Sequence, residues 1–205
     1  MKTTIKLLVV LALALATFSQ YSTASAGDNF KFSGRFADAF FYSTDGVCVE
    51  TFVSVFANKG KFQSPPGPGS TSTFASVWVG QFNFCDQIWL FSAYGDTFPG
   101  DGAFQIDRSL TSAALNVTIP VFDGVSWFDA DVNLVWTGTG ELSRGTFHSH
   151  SKSPGCVINQ RWSGSSRPAQ ASGTVSIGGT NFTPDLSVGA GLNSTKSGDL
   201  FIGCN

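Results

Sequence analysis

The chain has 205 residues and a formal net charge of −2, with 42% hydrophobic and 13% charged residues. That length suits one domain behind a short leader. Mild acidity without a basic run speaks against nucleic acid and anionic membrane surfaces as partners.

Met1 to Ala26 carry the pattern of a cleavable secretory signal peptide. Lys2 and Lys6 give a positive start, Leu7 to Ala16 form an apolar run, and Ala24-Ser25-Ala26 offers the small residues that a signal peptidase needs. A bilayer crossing takes about 20 apolar residues, so the segment reads as an address and not an anchor. No cysteine follows it closely enough for lipid attachment, and no later run approaches spanning length. The expected mature part is one domain over 27–205, secreted or extracellular, or periplasmic or held at the cell surface, with no membrane insertion.

Behind the leader, Phe, Val, Thr, Trp and Ser dominate. With 20 Phe, five Trp and one Met in the chain, this is strand composition. No helix-length stretch after Gly27 shows a 3.6-residue apolar period. Phe36 to Tyr42 leads through Asp45-Gly46 into Val47 to Val55, which reads as a hairpin. Residues 58–73, rich in Pro, Gly and Ser, read as an exposed loop within the domain. Phe74 to Phe84 and Ile88 to Tyr94 resume the strands around Asp86-Gln87. The Asp123-Gly124 pair suits a primed hairpin turn. Folding there sets Phe128, Ala130, Val132, Leu134 and Trp136 opposite Ala113, Leu115, Val117 and Ile119 on an apolar face, and Trp127, Asp129, Asp131 and Asn133 beside Asn116 and Thr118 on a polar one. A turn at Pro154-Gly155 aligns His148 and His150 with Arg161 and Asn159, and Phe147 with Trp162. Gln170 to Ile177, Leu186 to Asn193 and Asp199 to Ile202 complete the strands. The expected fold is all-β, an antiparallel two-sheet β-sandwich with jelly-roll character; a β-barrel is the alternative.

Four cysteines in an exported chain imply two disulfides. A meander brings Cys48 to Cys85, which leaves Cys156 to Cys204; the spacings lack the short paired gaps of a zinc site.

His148 and His150, two apart in a strand, point the same way and offer two of the ligands that zinc requires. Asp129 and Asp131 resemble the opening of a calcium loop, but Leu134 stands where such a loop needs glycine. Asp96, Asp101 and Asp107 around a Gly-rich turn are a second calcium candidate. No cofactor is predicted, with calcium or zinc as the alternatives. Glu50 and Glu141 are the only glutamates available for glycoside hydrolysis, and no nucleophile elbow or phosphate-binding loop is present. Trp127 beside Asp129 and Asp131 suits stacking on a sugar face with hydrogen bonds to its hydroxyls.

The tract containing Trp136-Thr137-Gly138-Thr139-Gly140, Ser143-Arg144, His148, His150, Asn159-Gln160-Arg161 and Arg167-Pro168-Ala169-Gln170-Ala171-Ser172-Gly173 resembles a group of exported bacterial β-rich proteins. The resemblance covers about a fifth of the chain and implies export and a β-rich domain, without an activity. The expectation is therefore a secreted, disulfide-stabilised, non-catalytic domain that binds or adheres to a glycan, matrix polymer or protein. The alternative is a metal-dependent extracellular enzyme built on His148 and His150.

Overall fold

The structure is a computed structural model that describes residues 28–63, 69–153 and 156–204. The expected leader over 1–26, residues 64–68 and the Pro154-Gly155 turn lie outside the described residues. Eleven strands and no helix are described: β1 (Asp28–Thr44), β2 (Val49–Gln63), β3 (Ser70–Asn83), β4 (Ile88–Thr97), β5 (Phe104–Ile106), β6 (Ser112–Phe122), β7 (Trp127–Gly138), β8 (Ser143–Ser153), β9 (Cys156–Ile177), β10 (Thr180–Asn181) and β11 (Gly189–Cys204). All pairings are antiparallel.

The all-β architecture expected from composition is present. What the sequence reads as two packed sheets is connected here into one. The neighbours run β9-β11-β1-β2-β3-β4-β6, and β7 joins β6 back to β9, so the pairings trace a closed ring of eight strands. Strand β9 makes this connection through its length. Its second half pairs β7 from Ala169 to Ile177, while its first half pairs β11 on one side and β8 on the other. The exposed loop expected over 58–73 is shorter, because β2 runs to Gln63 and β3 begins at Ser70.

Strict alternation builds the core. Val53, Val55 and Ala57 of β2, Ala75, Val77 and Val79 of β3, and Ala130, Val132, Leu134 and Trp136 of β7 all point into the ring and are buried. Burying a Val or Leu side chain fully contributes about 1.5–3 kcal/mol. Trp136 is the largest buried side chain, and its indole Nε1 donates to the Asp38 carbonyl of β1 at 2.9 Å, tying opposite walls together. Phe91 and Phe182 stack at 5.7 Å against this core. Toward the other end, β5 crosses the ring with Phe104 buried, and Arg35 Nη1 of β1 donates to the Ile106 carbonyl at 2.9 Å.

The β8–β9 register and the two faces of the β6–β7 hairpin follow the sequence pattern. Ile119 lies opposite Ala130 and Leu115 opposite Leu134; His148 lies opposite Arg161 and Phe147 opposite Trp162. The β6–β7 turn is centred on Gly124-Val125, closed by the Asp123 amide donating to the Ser126 carbonyl at 3.2 Å inside the Phe122–Trp127 pair. The register therefore stands two residues from the one that an Asp123-Gly124 turn gives, while the faces are kept. Cys48 and Cys85 form a disulfide with Cα atoms 5.4 Å apart, joining the β1–β2 and β3–β4 turns. Cys156 is disulfide-bonded and lies opposite Cys204 in the β9–β11 register; the Cys204 side chain lies outside the described residues.

The ring has one narrow seam. Strands β4 and β6 share a single paired position, Tyr94 with Phe122. A Cβ on the adjacent Gly95 would stand 1.9 Å from the Pro120 carbonyl oxygen. That obstacle is backbone, so it cannot rotate away. Gly95→Ala is expected to lower stability by about 1–3 kcal/mol through overpacking, read from denaturant unfolding. Unchanged stability would mean that β4 and β6 do not close the ring here.

Aspartates cap the β1–β2 and β6–β7 turns. Asp45 Oδ1 accepts the amides of Val47, Cys48 and Val49 at 2.8–2.9 Å, and Asp123 Oδ1 accepts those of Val125 and Ser126 at 2.8 and 2.7 Å. Both carboxyls sit below the usual aspartate range, Asp45 chiefly through the Val49 amide and Asp123 chiefly through the Ser126 amide. A depressed carboxyl contributes stability that is complete above its unfolded value of about 3.9 and is lost as pH falls through the lower folded value. Asp45→Ala is expected to be less stable than the parent at neutral pH, with a smaller further loss under acid. Circular dichroism melts across the acid range check this, and parallel pH profiles would contradict it.

Candidate functional site

With small side chains filling most inward positions, the aromatic residues of β1 to β4 other than Phe41 and Phe91 point outward. Phe36, Phe56, Phe74 and Phe98 form one chain of contacts, with ring centroids 5.7, 6.3 and 5.4 Å apart. A second group centres on Phe52, which lies 6.4 Å from both Phe40 and Trp78 and 6.3 Å from Trp89. These spacings lie within the range in which aromatic pairs attract. Trp78 and Trp89 lean across Gly80, where a Cβ would stand 2.8 Å from each ring, so only glycine leaves both indoles in place. Trp89 immediately precedes a bulge at which Gln81 pairs Phe91 and Phe82 pairs Trp89, leaving Leu90 as the extra residue. Trp89 is 54% exposed and Phe98 63%.

The register carries this surface across six strands. Phe40 of β1 lies opposite Ser54 of β2, Ser54 opposite Trp78 of β3, Trp78 opposite Tyr94 of β4, Tyr94 opposite Phe122 of β6, and Phe122 opposite Trp127 of β7. At roughly 4.8 Å per strand the row spans about 24 Å. Polar groups are interleaved with the rings. Trp78 Nε1 donates to Ser92 Oγ at 3.2 Å, Tyr94 donates to Asp96 at 3.2 Å, and Tyr42 donates to Glu50 at 2.9 Å. Partial burial, reinforced by the Asp96 carboxylate, pushes the Tyr94 phenol up to about 12. The Glu50 hydrogen bond raises the Tyr42 phenol in the same sense. Both phenols are therefore neutral donors at physiological pH.

The residues singled out by sequence fall into separate places. Trp127 is 69% exposed at the β6–β7 tip, 5.2 Å from the Phe122 ring, at the end of the aromatic row. Asp129 follows on the same outward side of β7, and Asp131 accepts the Thr118 hydroxyl at 2.7 Å. His148 and His150 share one face of β8 and are exposed; His150 Nδ1 contacts Asn159 Oδ1, and His148 faces Arg161. Among the described residues no group of three or more His, Cys, Asp or Glu is placed to hold a metal, so the histidine pair gains no third ligand. Each carboxylate of the proposed calcium turn has its own partner. Asp96 accepts Tyr94, Asp101 pairs with Lys59 at 3.2 Å, and Asp107 accepts the Thr111 amide at 2.8 Å. Burial acts to raise the Asp107 carboxyl, but hydrogen bonds from Thr111 and Ser109 outweigh it and hold the group below its usual range. Glu50 lies on β2, whereas Glu141 is exposed in the β7–β8 connection.

Sequence reasoning found Trp127 but not the row to which it belongs. The signal lay in β2, where Phe52 and Phe56 alternate with Val53, Val55 and Ala57. Both faces are apolar, and the pattern alone leaves open which one is the core.

No protein-family model matches the chain, and no curated protein matches it by sequence. Among solved structures it is similar to a Nitrosomonas europaea protein assigned provisionally as AttH, at 11% identity and a TM-score of 0.29. The match covers 88% of this chain and 52% of that one, so the chain spans about half of that protein. A likeness at this level carries no argument about fold or function.

Proposed function

We propose that this chain is an exported, disulfide-stabilised, non-catalytic domain that binds a neutral extracellular polysaccharide on its outer aromatic face. The observation that carries the reading is the row Phe40, Ser54, Trp78, Tyr94, Phe122 and Trp127, which crosses six strands with an aromatic residue on five of them. Sugar rings present apolar C–H faces edged by hydroxyls, and a surface of flat rings interleaved with Ser54, Ser92, Asp96 and Asp129 complements both parts. The aromatic surface is also one-sided. Outward positions of β6 and β7 behind the tip are Asn116, Thr118, Asp129 and Asp131, which fits lateral docking of an extended ligand and opposes a lipid-facing belt. Export rests on the leader pattern in 1–26, and the Cys48–Cys85 disulfide fits an oxidising compartment.

Co-sedimentation of the disulfide-bonded protein with insoluble cellulose and chitin tests the reading. Retention on at least one is expected. Trp127→Ala and Trp89→Ala are each expected to weaken it about tenfold, or ~1.4 kcal/mol. The melting temperature of Trp127→Ala should stay within error of the parent, because the side chain is mostly exposed. Absence of retention on every neutral polysaccharide tried, or retention indifferent to Trp127→Ala, would overturn the proposal.

A further inference from the structure

Strands β1, β2, β8, β9 and β11 extend past the mouth of the ring, and the inward side of this extension carries most of the chain's cations. Alternation decides the side. Strands β1 and β2 pair without a break from Lys31–Gln63 to Thr44–Glu50, so Lys31, Arg35, Lys59 and Lys61 share the face of Ala37 and Ala57. On β9, Arg161 and Arg167 share the face of Ala171, and β8 sets His148 opposite Arg161 and Arg144 opposite Ser165. Two cross-strand rows result. One runs Gln63, Lys31, Asp199, Arg161, His148; the other runs Lys59, Arg35, Ser194, Ser165, Arg144. Of the ten Lys and Arg after residue 26, Arg108 is the one on a turn outside this region. Asp199 is the single carboxylate that the strands of the extension place on its inward face among the described residues. At the edge nearest the ring, Lys59 pairs with Asp101 at 3.2 Å and Arg35 donates to the Ile106 carbonyl at 2.9 Å.

The face is open and has a floor. Lys31, Lys61, Arg144, Lys152, Arg161 and Lys196 are all exposed. Between Arg144 and Lys196 lies a shallow depression of about 420 Å³, floored at Gly145 and Gly164 and edged by the hydroxyls of Thr146 and Ser163. Lys196 reaches this edge because it is the bulged residue of β11, between the Thr195–Gly164 and Ser197–Ser163 pairs. Segregating cations in a chain that is acidic overall creates a local positive field, which recruits a polyanion. Phe201 is the only Phe, Tyr or Trp on this face among the described residues. It therefore lacks the aromatic platform on which single-stranded nucleic acids stack, while its hydroxyls and amides suit sugar hydroxyls.

We propose that this inward face is a second binding surface, taking an acidic polysaccharide whose carboxylates or sulfates lie along the cation rows. It is separate from the outer aromatic face and does not depend on that reading. The test is binding of the whole protein to alginate, a polyuronate, at an ionic strength of about 0.01 M, with oligo(dT) of equal charge as the comparison. Binding to alginate is expected, weakening about tenfold in Arg144→Gln/Arg161→Gln and comparably in Lys31→Gln/Lys61→Gln. Raising the salt to about 1 M should abolish it, because the screening length then falls to about 3 Å. Trp127→Ala should bind alginate as the parent does. No alginate binding at low salt, parental affinity in both double variants, or tighter binding of oligo(dT) than of alginate would overturn the proposal. Loss of alginate binding alongside intact cellulose or chitin retention would remove this surface and leave the outer one standing.

Discussion

Inside the ring, Ala37, Ala57, Ala75, Ala93 and Ala171 line the walls with single methyl groups, and Val53, Val55, Val77 and Val79 fill the space between them. Interiors pack at near-crystalline density, so the volume available inward is set by the distance between the walls. That volume admits Trp136, Phe41 and Phe104 as its largest fully buried side chains. Apart from Phe91, which packs against the core beside Phe182, the other aromatic residues of β1 to β4 take the opposite face of the same strands. Aromatic crowding outside is thus a packing consequence of a narrow inside. The Trp136 bond to the Asp38 carbonyl holds the two walls at that separation.

The same alternation explains why one sheet carries two chemically different surfaces. Along β1 the outward residues Phe30, Phe32, Phe36 and Phe40 oppose the inward residues Lys31, Arg35, Ala37 and Ala39. Where the ring is closed, the inward side is core. Past the mouth that side opens to solvent beyond the contacts of Arg35 with Ile106 and Lys59 with Asp101. Apolar residues there would be exposed, and Lys, Arg, Ser and Asn replace them. The outer face keeps its aromatic character over the extension, with Phe30 stacked on Phe62 at 6.3 Å and Phe32 at 6.4 Å from Trp162. The Cys48–Cys85 bridge ties the two turns at the far end, beside the exposed Val47 and Trp89.

Local features were legible in the sequence. Asp45-Gly46 and Asp123-Gly124 marked their turns, and the β8–β9 register followed from its turn. Alternation gave the faces of the β6–β7 hairpin, whose register lies two residues from the expected one. The Cys48–Cys85 pairing followed from the meander, and Trp127 was placed on the outward side of its strand. Two things were not legible. Strands such as β2 are apolar on both faces, so the inward set is decided by which residues the ring can enclose, a property of the closed pairing and not of any one strand. The cation rows bring Lys31 of β1 to the β8–β9 hairpin that carries Arg144 and Arg161, and no short window of sequence contains them. The sequence accordingly reads as lacking a basic cluster, and only the register of β1, β11, β9 and β8 assembles one.

The central claim is that a narrow interior drives aromatic residues onto one outer face, and that this face meets the ligand. Hydroxyl-radical footprinting of the protein with and without a soluble cello- or chito-oligosaccharide tests it most directly. The account predicts protection of Trp78, Trp89, Tyr94 and Trp127, with Phe201 on the inward face and the buried Trp136 unchanged. Protection confined to the inward face, or none at the outer aromatic row with ligand bound, would contradict it.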